Sequence, residues 1–293
     1  MTATRPLIYA HRGSSAQYAE HTRSAYLQAL ADGADGVECD VHLTEDKQVV
    51  LLHDSTLDRT SNGTGPVAEH TLEQLRDLDF SSWKGTEIPE EFGSLSQQLL
   101  TLDELLDLLE EAGRPIGLAI EFKHPTPFGN QLEEETLRLL VARGWLPQSS
   151  TLNEIAISFM SFDPEAIDYL RETVPPRHLC QLVAEVEVEN VRNDLGLGPL
   201  AAAGVAVALR NALAEGEKNL DEGDAELAGP GVDYLQAQPE RVASWMAAGR
   251  IFRVWTVDSP EQLQACLDAG VQEVTTNRPA QLRALLDGRF AAV

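Results

Sequence analysis

The sequence is poor in basic residues. Its 293 residues include 22 Lys and Arg against 47 Asp and Glu, which gives a formal net charge of −25 at pH 7. Nucleic acids and anionic membrane surfaces would repel such a chain, so we exclude both as its main partners. An anionic small molecule would need a site that is locally positive.

Cysteine is scarce as well. The three cysteines, Cys39, Cys180 and Cys266, are far apart and include no Cys-x-x-Cys pair. This number and spacing indicate neither a disulfide framework nor a cysteine-based zinc site. We expect the three thiols to be reduced and mostly buried.

Long apolar runs are missing. No run approaches the roughly 18 residues that a membrane span requires, and the first residues lack the apolar segment of a signal peptide. We therefore expect a cytoplasmic protein without stable membrane insertion. The sequence does not determine the oligomeric state and leaves a homodimer open.

Short apolar runs alternate with amphipathic segments, a pattern typical of parallel strands joined by helices. Eight strands are predicted, near residues 7, 36, 116, 154, 178, 232, 251 and 272. Thr101, Asp163 and Ser259 are capping residues that should each precede a helix. Because a (β/α)8 barrel takes about 250 residues, a single barrel domain over residues 1–293 is predicted.

The first candidate functional residues follow the first predicted strand. Residues 7–10, Leu-Ile-Tyr-Ala, form a buried strand by their apolar pattern, with His11 and Arg12 at its carboxyl end. Residues 20–32 predict the next helix, which Gly33 ends. In a barrel of this kind the reacting groups collect at the carboxyl ends of the strands. His11 and Arg12 are therefore placed where a site would form.

A pair of carboxylates lies in the second predicted strand, residues 36–44. Glu38 and Asp40 are two residues apart and project from the same face, because strand side chains alternate. They repel each other unless a positive group lies between them. A two-residue hairpin turn at residues 46–47 would pair Asp40 with His53 in the returning strand. We therefore expect His53 beside the carboxylates.

Eight short motifs occur in order over residues 7–279. They are His11-Arg12-Gly13, Glu20-His21-Thr22, Glu38-Cys39-Asp40-Val41, His53-Asp54, Leu57-Asp58-Arg59-Thr60-Ser61-Asn62-Gly63-Thr64-Gly65, Glu121-Phe122-Lys123, Val254-Trp255-Thr256-Val257-Asp258 and Thr276-Asn277-Arg278-Pro279. Together they resemble the glycerophosphodiester phosphodiesterases. One departure is that the family usually has Pro-Glu-Asn-Thr where this chain has Ala19-Glu20-His21-Thr22.

The resemblance implies a TIM barrel with a small insertion subdomain after the second strand, which we assign to residues 55–100. It also implies the hydrolysis of glycerophosphodiesters to glycerol 3-phosphate and an alcohol, within lipid and glycerol metabolism. The expected partner is thus a small-molecule glycerophosphodiester substrate.

A metal site is expected where the carboxylates converge. Glu38, Asp40 and Glu121 would meet from two strands, and carboxylate oxygens are ligands of hard divalent cations such as Ca²⁺ or Mg²⁺. Together with one such ion, Arg12 and Lys123 would give the site one net positive charge. That field suits a phosphodiester monoanion.

Two histidines are the candidate acid–base catalysts. His11 and His53 suit this role because an imidazole titrates near neutral pH. One would deprotonate a water or the substrate's own hydroxyl, and the other would protonate the leaving alcohol; the sequence does not say which does which. Arg12 and Lys123 would bind the phosphate, and Trp255 would form an apolar wall of the pocket. The other histidines given no role are His42, His70, His124 and His178.

Three alternatives stay open at this point. A lysophospholipase D-type phosphodiesterase on the same fold would need an apolar groove for an acyl chain. A noncatalytic phosphate- or metal-binding barrel would lack one of the acid–base groups. A glycosidase with paired carboxylates would not need the histidines, and metal dependence would distinguish it from a phosphodiesterase.

Overall fold

The computed structural model describes residues 5–189, 192 and 198–290. Its strands are β1 (Leu7–His11), β2 (Gly36–Leu43), β3 (Val49–Leu51), β4 (Ile116–Phe122), β5 (Thr151–Leu152), β6 (Ile155–Ser161), β7 (Leu179–Val183), β8 (Leu227–Pro230), β9 (Ile251–Val254) and β10 (Glu273–Thr276). Strands β3 and β5 pair antiparallel with β2 and β6. The other eight strands are parallel, and β1 pairs with both β2 and β10, so the sheet closes. The predicted barrel is confirmed.

Helices follow most barrel strands. They are α1 (Arg23–Ala31), α2 (Leu72–Arg76), α3 (Leu102–Glu111), α4 (Gln131–Ala142), α5 (Pro164–Leu170), α6 (Pro199–Glu222), α7 (Val232–Ala237), α8 (Pro239–Ala247), α9 (Pro260–Ala269) and α10 (Pro279–Phe290). The capping residues Thr101, Asp163 and Ser259 precede α3, α5 and α9 as predicted, and each side chain accepts a backbone N–H of the first turn. Within the described residues, no helix is both long and apolar enough to cross a bilayer.

A buried arginine lies inside the barrel below the candidate site. Arg253 is 2% exposed, its Nε lies 2.7 Å from Glu273, and its guanidinium lies 4.1 Å from the centre of the Tyr9 ring. Gly36 and Gly117 make room for Tyr9, because a Cβ at either position would come within 2.4 Å of the ring or its hydroxyl. The barrel interior thus contains a buried ion pair packed against an aromatic ring.

The hairpin between β2 and β3 has a different register from the predicted one. The observed pairs are Val41–Leu51, His42–Val50 and Leu43–Val49. The loop contains three residues because Lys47 adopts the left-handed conformation, with φ +62°, which is common at the third position of such a loop. The backbone carbonyl of Asp40 therefore accepts the Leu52 N–H at 3.2 Å, and Asp40 is not paired with His53. The predicted pairing was wrong by one residue.

The strand expected near residue 232 ends earlier. Strand β8 ends at Pro230, and Gly231 is the N-cap of α7, which begins at Val232. The apolar residues near 232 belong to that helix, because a proline followed by an extended glycine ends the strand and starts the helix. The number of barrel strands is as predicted, and strand β8 lies a few residues before its predicted position.

Residues 52–101 connect β3 to α3. They contain α2 and four short 3-10 helices. Together with Val50 of β3 they form a separate apolar cluster of Leu52, Leu57, Val67, Leu75, Phe80 and Leu99. Lys84 of this segment reaches the loop after β1, where its Nζ donates to the carbonyl of Ser15 at 2.7 Å. The segment therefore lies against the carboxyl-end face of the barrel. The insertion predicted at residues 55–100 stays a prediction.

Candidate active site

Six of the eight predicted site residues, all except His53 and Trp255, converge on three adjacent strands, β1, β2 and β4. His11 ends β1 and stands opposite Glu38 of β2. Asp40, two residues further along β2, stands opposite Glu121 of β4, and Lys123 follows β4 directly. The barrel thus brings together residues that are more than 100 positions apart in the chain.

The three carboxylates form a compact buried cluster. One oxygen from each of Glu38, Asp40 and Glu121 lies within 4.8 Å of the others. Glu38 Oε2 accepts the Arg12 backbone N–H at 3.0 Å, whereas Glu38 Oε1 is buried and accepts no hydrogen bond from the described residues. A hard divalent cation fits this all-oxygen set, and it would satisfy the unpartnered oxygen.

The pKa values of the cluster reflect its crowding. Burial, and then repulsion by Asp40, raises the pKa of Glu38 well above its usual value. Burial also raises the pKa of Glu121 to about 7, although the neighbouring Lys123 opposes the change. A cation between the carboxylates would lower the cost of ionising both.

Asp40 is the most strongly anchored carboxylate. Its oxygens lie 3.0 Å from Lys123 Nζ, 3.1 Å from Arg12 Nε and 2.8 Å from His21 Nε2. Burial alone would raise its pKa, but Lys123, then the hydrogen bond from His21, then Arg12 hold that pKa well below the usual value. Asp40 is therefore ionised at neutral pH.

The two phosphate-binding candidates flank the cluster. Lys123 Nζ lies 2.6 Å from Glu121, and Arg12 Nη1 donates to Glu20 at 3.0 Å. The loop that carries Arg12 needs Gly13, whose φ is +80° and where a Cβ would lie 2.6 Å from the backbone of Ala25. The close approach of this loop to α1 sets the position of the guanidinium.

His11 is held by Asn277, which directly follows the last barrel strand, β10. Its Nδ1 lies 2.8 Å from Asn277 Oδ1, while Asn277 Nδ2 donates to Asp258. Because the amide oxygen faces His11, Nδ1 carries the proton and Nε2 is the nitrogen without one. Burial, and then the charge of Arg12, lowers the pKa of His11 to about 4.

His53 is more exposed than His11, and its Nδ1 is bound by a carboxylate. Its Nδ1 lies 2.7 Å from Asp54 Oδ1, and Arg59 Nε donates to the other oxygen of Asp54 at 2.6 Å. Nδ1 again carries the proton, so Nε2 is available for proton transfer. Burial, then Lys123, lowers the pKa of His53, and the hydrogen bond to Asp54 opposes that change.

Sequence reasoning missed two histidines that support the site. His42 was expected on the face of Glu38 and Asp40 but without a role; its Nε2 donates to the carbonyl of His53 at 3.2 Å. His21 is buried at a φ of +62°, a conformation that Asn and His adopt more readily than most residues. The departure from Pro-Glu-Asn-Thr was the signal at His21, because Asn and His are both residue types that tolerate a left-handed backbone.

These groups surround a cavity of about 170 Å³. Its polar side contains His11, Arg12, Glu38, His53, Glu121 and Lys123, and its apolar side contains Met160, Phe162, Leu182 and Trp255. The Trp255 indole N–H donates to the carbonyl of Gly229 at 2.8 Å. The centres of the Trp255 and Phe162 rings are 5.5 Å apart, and the two rings are nearly perpendicular. Trp255 therefore lines the cavity in a fixed orientation. Its contact with a substrate stays a prediction.

Comparisons with known proteins give one result. Residues 11–281 match the family model described as "Glycerophosphoryl diester phosphodiesterase family". A Mycobacterium tuberculosis protein named "Probable glycerophosphodiester phosphodiesterase 1" is 36% identical over 289 residues, 98% of this chain and 95% of that protein. The Bacillus subtilis glycerophosphodiester phosphodiesterase is 29% identical and covers 95% of this chain and 86% of its own.

A solved structure has the same fold. It is a phosphodiesterase of Oleispira antarctica in complex with the product sn-glycerol-3-phosphate, with 22% identity, a TM-score of 0.74 and coverage of 96% of this chain and 97% of that one. The enzyme class predicted from the motifs is confirmed by the family match and the relatives, and the chain belongs to the glycerophosphoryl diester phosphodiesterase family.

Proposed function

We propose that this protein hydrolyses glycerophosphodiesters to glycerol 3-phosphate and an alcohol, with a bound divalent cation and two histidines. The observation that carries the proposal is that the buried Glu38, Asp40 and Glu121 cluster opens into the same cavity as His11 and His53. Family membership supports it. The product found in the Oleispira antarctica structure supports the choice of glycerol 3-phosphate.

The carboxylate cluster would hold the cation, Ca²⁺ or Mg²⁺. When bound, such an ion supplies positive charge against the nonbridging oxygens of a phosphodiester. Arg12 and Lys123 add two further cations at the edge of the cluster. The forked donors of Arg12 bind and orient the phosphate, and Lys123 offsets the negative charge that develops during the reaction.

His11 and His53 transfer the protons. Each has its Nδ1 proton bound by an acceptor, Asn277 Oδ1 for His11 and Asp54 for His53, so both Nε2 atoms are available for proton transfer. The neutral histidine accepts the proton of the nucleophile, a water or the glycerol hydroxyl, at its Nε2. The other histidine enters the reaction protonated on both nitrogens and gives its Nε2 proton to the departing alkoxide. The hydrogen bonds from Nδ1 to Asn277 and to Asp54 keep the two imidazole rings oriented during both steps.

Three earlier expectations stay predictions beside this function. They are the cytoplasmic location, the insertion at residues 55–100 and the oligomeric state. The choice between Ca²⁺ and Mg²⁺ is left to direct measurement, because the oxygen ligands accept either ion.

The products test the proposal. Purified protein with Mg²⁺ or Ca²⁺ is incubated with glycerophosphoethanolamine, and the phosphorus spectrum is followed by nuclear magnetic resonance. We expect the diester signal to be replaced by that of glycerol 3-phosphate. Phosphoethanolamine as the product would place the cleavage on the other ester bond and reject the proposed reaction. No hydrolysis by folded, metal-loaded protein would favour a lysophospholipid substrate or a binding role.

A further inference from the structure

A second cavity adjoins the first on the outer side of His11. Its volume is about 390 Å³, and it shares His11 and Arg12 with the first cavity. Its remaining wall contains Ser15, Glu20, Lys84, Asp258, Asn277 and Arg278. We call it the head-group basin. It is larger than the cavity at the carboxylate cluster, and its outer wall includes the exposed Arg278.

The two carboxylates of the basin already have partners. Glu20 accepts hydrogen bonds from Arg12 at 3.0 Å and from Arg59 at 2.7 Å, which lower its pKa to about 2 despite its burial. Asp258 accepts the Thr276 hydroxyl at 2.9 Å and the backbone and side-chain amides of Asn277. Glu20 is thus paired with two guanidinium groups, whereas the donors to Asp258 are neutral and leave its charge in place. Lys84 and Arg278 together outweigh that one negative charge.

The cations of the basin are less engaged. Lys84 Nζ donates to the carbonyl of Ser15 at 2.7 Å, and an ammonium group has two further protons to donate. Neither Lys84 nor Arg278 forms a salt bridge with another residue of the described part of the chain. The basin thus presents two cationic donors next to the proposed phosphate position at Arg12.

A bound phosphodiester has two ester arms, and the two cavities lie on either side of Arg12. The smaller cavity is enclosed by the barrel and suits glycerol, the part that all these substrates share. The larger basin has an exposed wall and can take alcohols of different size. This placement rests on the proposed function.

We propose that the head-group basin binds the alcohol part of the substrate and selects hydroxyl-bearing head groups, such as glycerol or inositol, over cationic ones such as choline. Lys84 and Arg278 donate hydrogen bonds to hydroxyl oxygens and repel a quaternary ammonium group, which has no hydrogen to donate and no acceptor. Lys84 and Arg278, which are far apart in the sequence, then set the head-group preference of the enzyme.

The test compares two substrates. The ratio of kcat/KM for glycerophosphoinositol to kcat/KM for glycerophosphocholine is measured for the wild type, for Arg278→Gln and for Lys84→Gln. Lys218→Gln is the matched control, because it removes one positive charge from the exposed surface of α6, where Lys218 pairs with Glu215. All variants are checked by thermal unfolding.

We expect the wild-type ratio to exceed one and to fall about five-fold in each basin variant, since a unit charge 4 Å away contributes about that factor in water. Lys218→Gln should leave the ratio unchanged. Lys84→Gln could fail to fold because the bond to Ser15 is lost. In that case the result for Arg278→Gln, a change at an exposed residue, tests the proposal by itself.

If both substrates are hydrolysed and Arg278→Gln retains the wild-type ratio of kcat/KM, the proposed role of the head-group basin is rejected. The proposed function then remains intact. A wild-type preference for glycerophosphocholine overturns it as well. Failure of the wild type to hydrolyse either substrate rejects the proposed function itself, and the basin proposal with it.

Discussion

His21 lies 2.8 Å from Asp40, a carboxylate of the candidate metal site, and 2.9 Å from the hydroxyl of Tyr26. Burial lowers the pKa of His21, so the ring is neutral near pH 7. Its Nε2 must carry the proton, because a carboxylate only accepts. The hydroxyl of Tyr26 lies between His21 Nδ1 and the backbone carbonyl of Glu38, to which it donates at 3.1 Å. A buried chain from Tyr26 through His21 thus fixes the orientation of Asp40.

This chain predicts an effect on metal binding. We expect His21→Ala to weaken binding of Mg²⁺ or Ca²⁺ about 10- to 100-fold, because removing the support of a metal ligand has that cost. His21→Asn should recover much of the loss, since Asn tolerates the left-handed backbone and its amide can donate to Asp40. Isothermal titration of the metal-free protein measures the affinity directly.

Tyr26→Phe is the matched control for His21. It removes the far hydroxyl and leaves the contact between His21 and Asp40 in place. We expect its metal affinity to change less than that of His21→Ala. An alanine variant that binds the ion as tightly as the wild type would reject the role of His21.

The division of work between the two histidines can be tested by the leaving group. His11→Ala and His53→Ala should each lower kcat for glycerophosphocholine about 10²- to 10⁴-fold, the usual contribution of a general acid or base. A p-nitrophenyl ester leaves without protonation, so the variant that lacks the acid should be much less impaired on it. We expect one of the two variants to show this recovery. Recovery in both, or in neither, would contradict an acid–base pair.

A buried ion pair outside the metal site predicts a pH dependence of stability. His124 Nε2 lies 2.6 Å from Glu133, which is fully buried. Burial lowers the pKa of His124, but the hydrogen bond to Glu133 outweighs it, so the folded-state pKa lies above the unfolded value of about 6.5. The stabilisation is therefore fully present below pH 6.5 and is lost as the pH rises through the raised folded-state pKa.

His124→Gln should accordingly reduce the free energy of unfolding by about 1 to 3 kcal/mol at pH 6 and by less at pH 9. Urea unfolding of both proteins at the two pH values measures the difference. A cost that grows with pH would have the wrong sign and would reject the ion pair.

The repulsion among the carboxylates predicts opposite effects with and without metal. In chelator, Glu38→Gln should be at least as stable as the wild type, because it removes one charge from a crowded buried site. With the ion at 100 times its Kd, the wild type should gain about 2.7 kcal/mol and the variant much less. Thermal unfolding in both conditions checks this. Equal stabilisation of the two proteins by the ion would place the metal elsewhere.

The sequence was most informative where local periodicity decides the structure. The two-residue spacing of Glu38 and Asp40 correctly predicted one face of a strand, since side chains alternate there whatever the surroundings. The hairpin register depended instead on a single backbone angle at Lys47, which no composition rule specifies. The strand near residue 232 was displaced for a similar reason, because its position depends on Pro230 and Gly231.

Two contacts that support the site were not predicted. The bond from His11 to Asn277 spans 266 positions, and the motif around Asn277 was recognised without a role for that side chain. His21 was noted only as a departure from the family pattern, and its contact with Asp40 depends on the packing of α1 against β2. The contact between His11 and Asn277 exists because β1 pairs with β10 in the closed barrel.

The central claim is that a divalent cation at Glu38, Asp40 and Glu121 works with His11 to hydrolyse glycerophosphodiesters. The most direct test is the release of glycerol 3-phosphate from glycerophosphocholine and glycerophosphoethanolamine by purified protein, measured with Ca²⁺ or Mg²⁺, with chelator, and with His11→Ala. We expect release that is lost in chelator, returns with added ion, and is nearly abolished in the variant. Full activity in chelator, or in His11→Ala, would contradict the account.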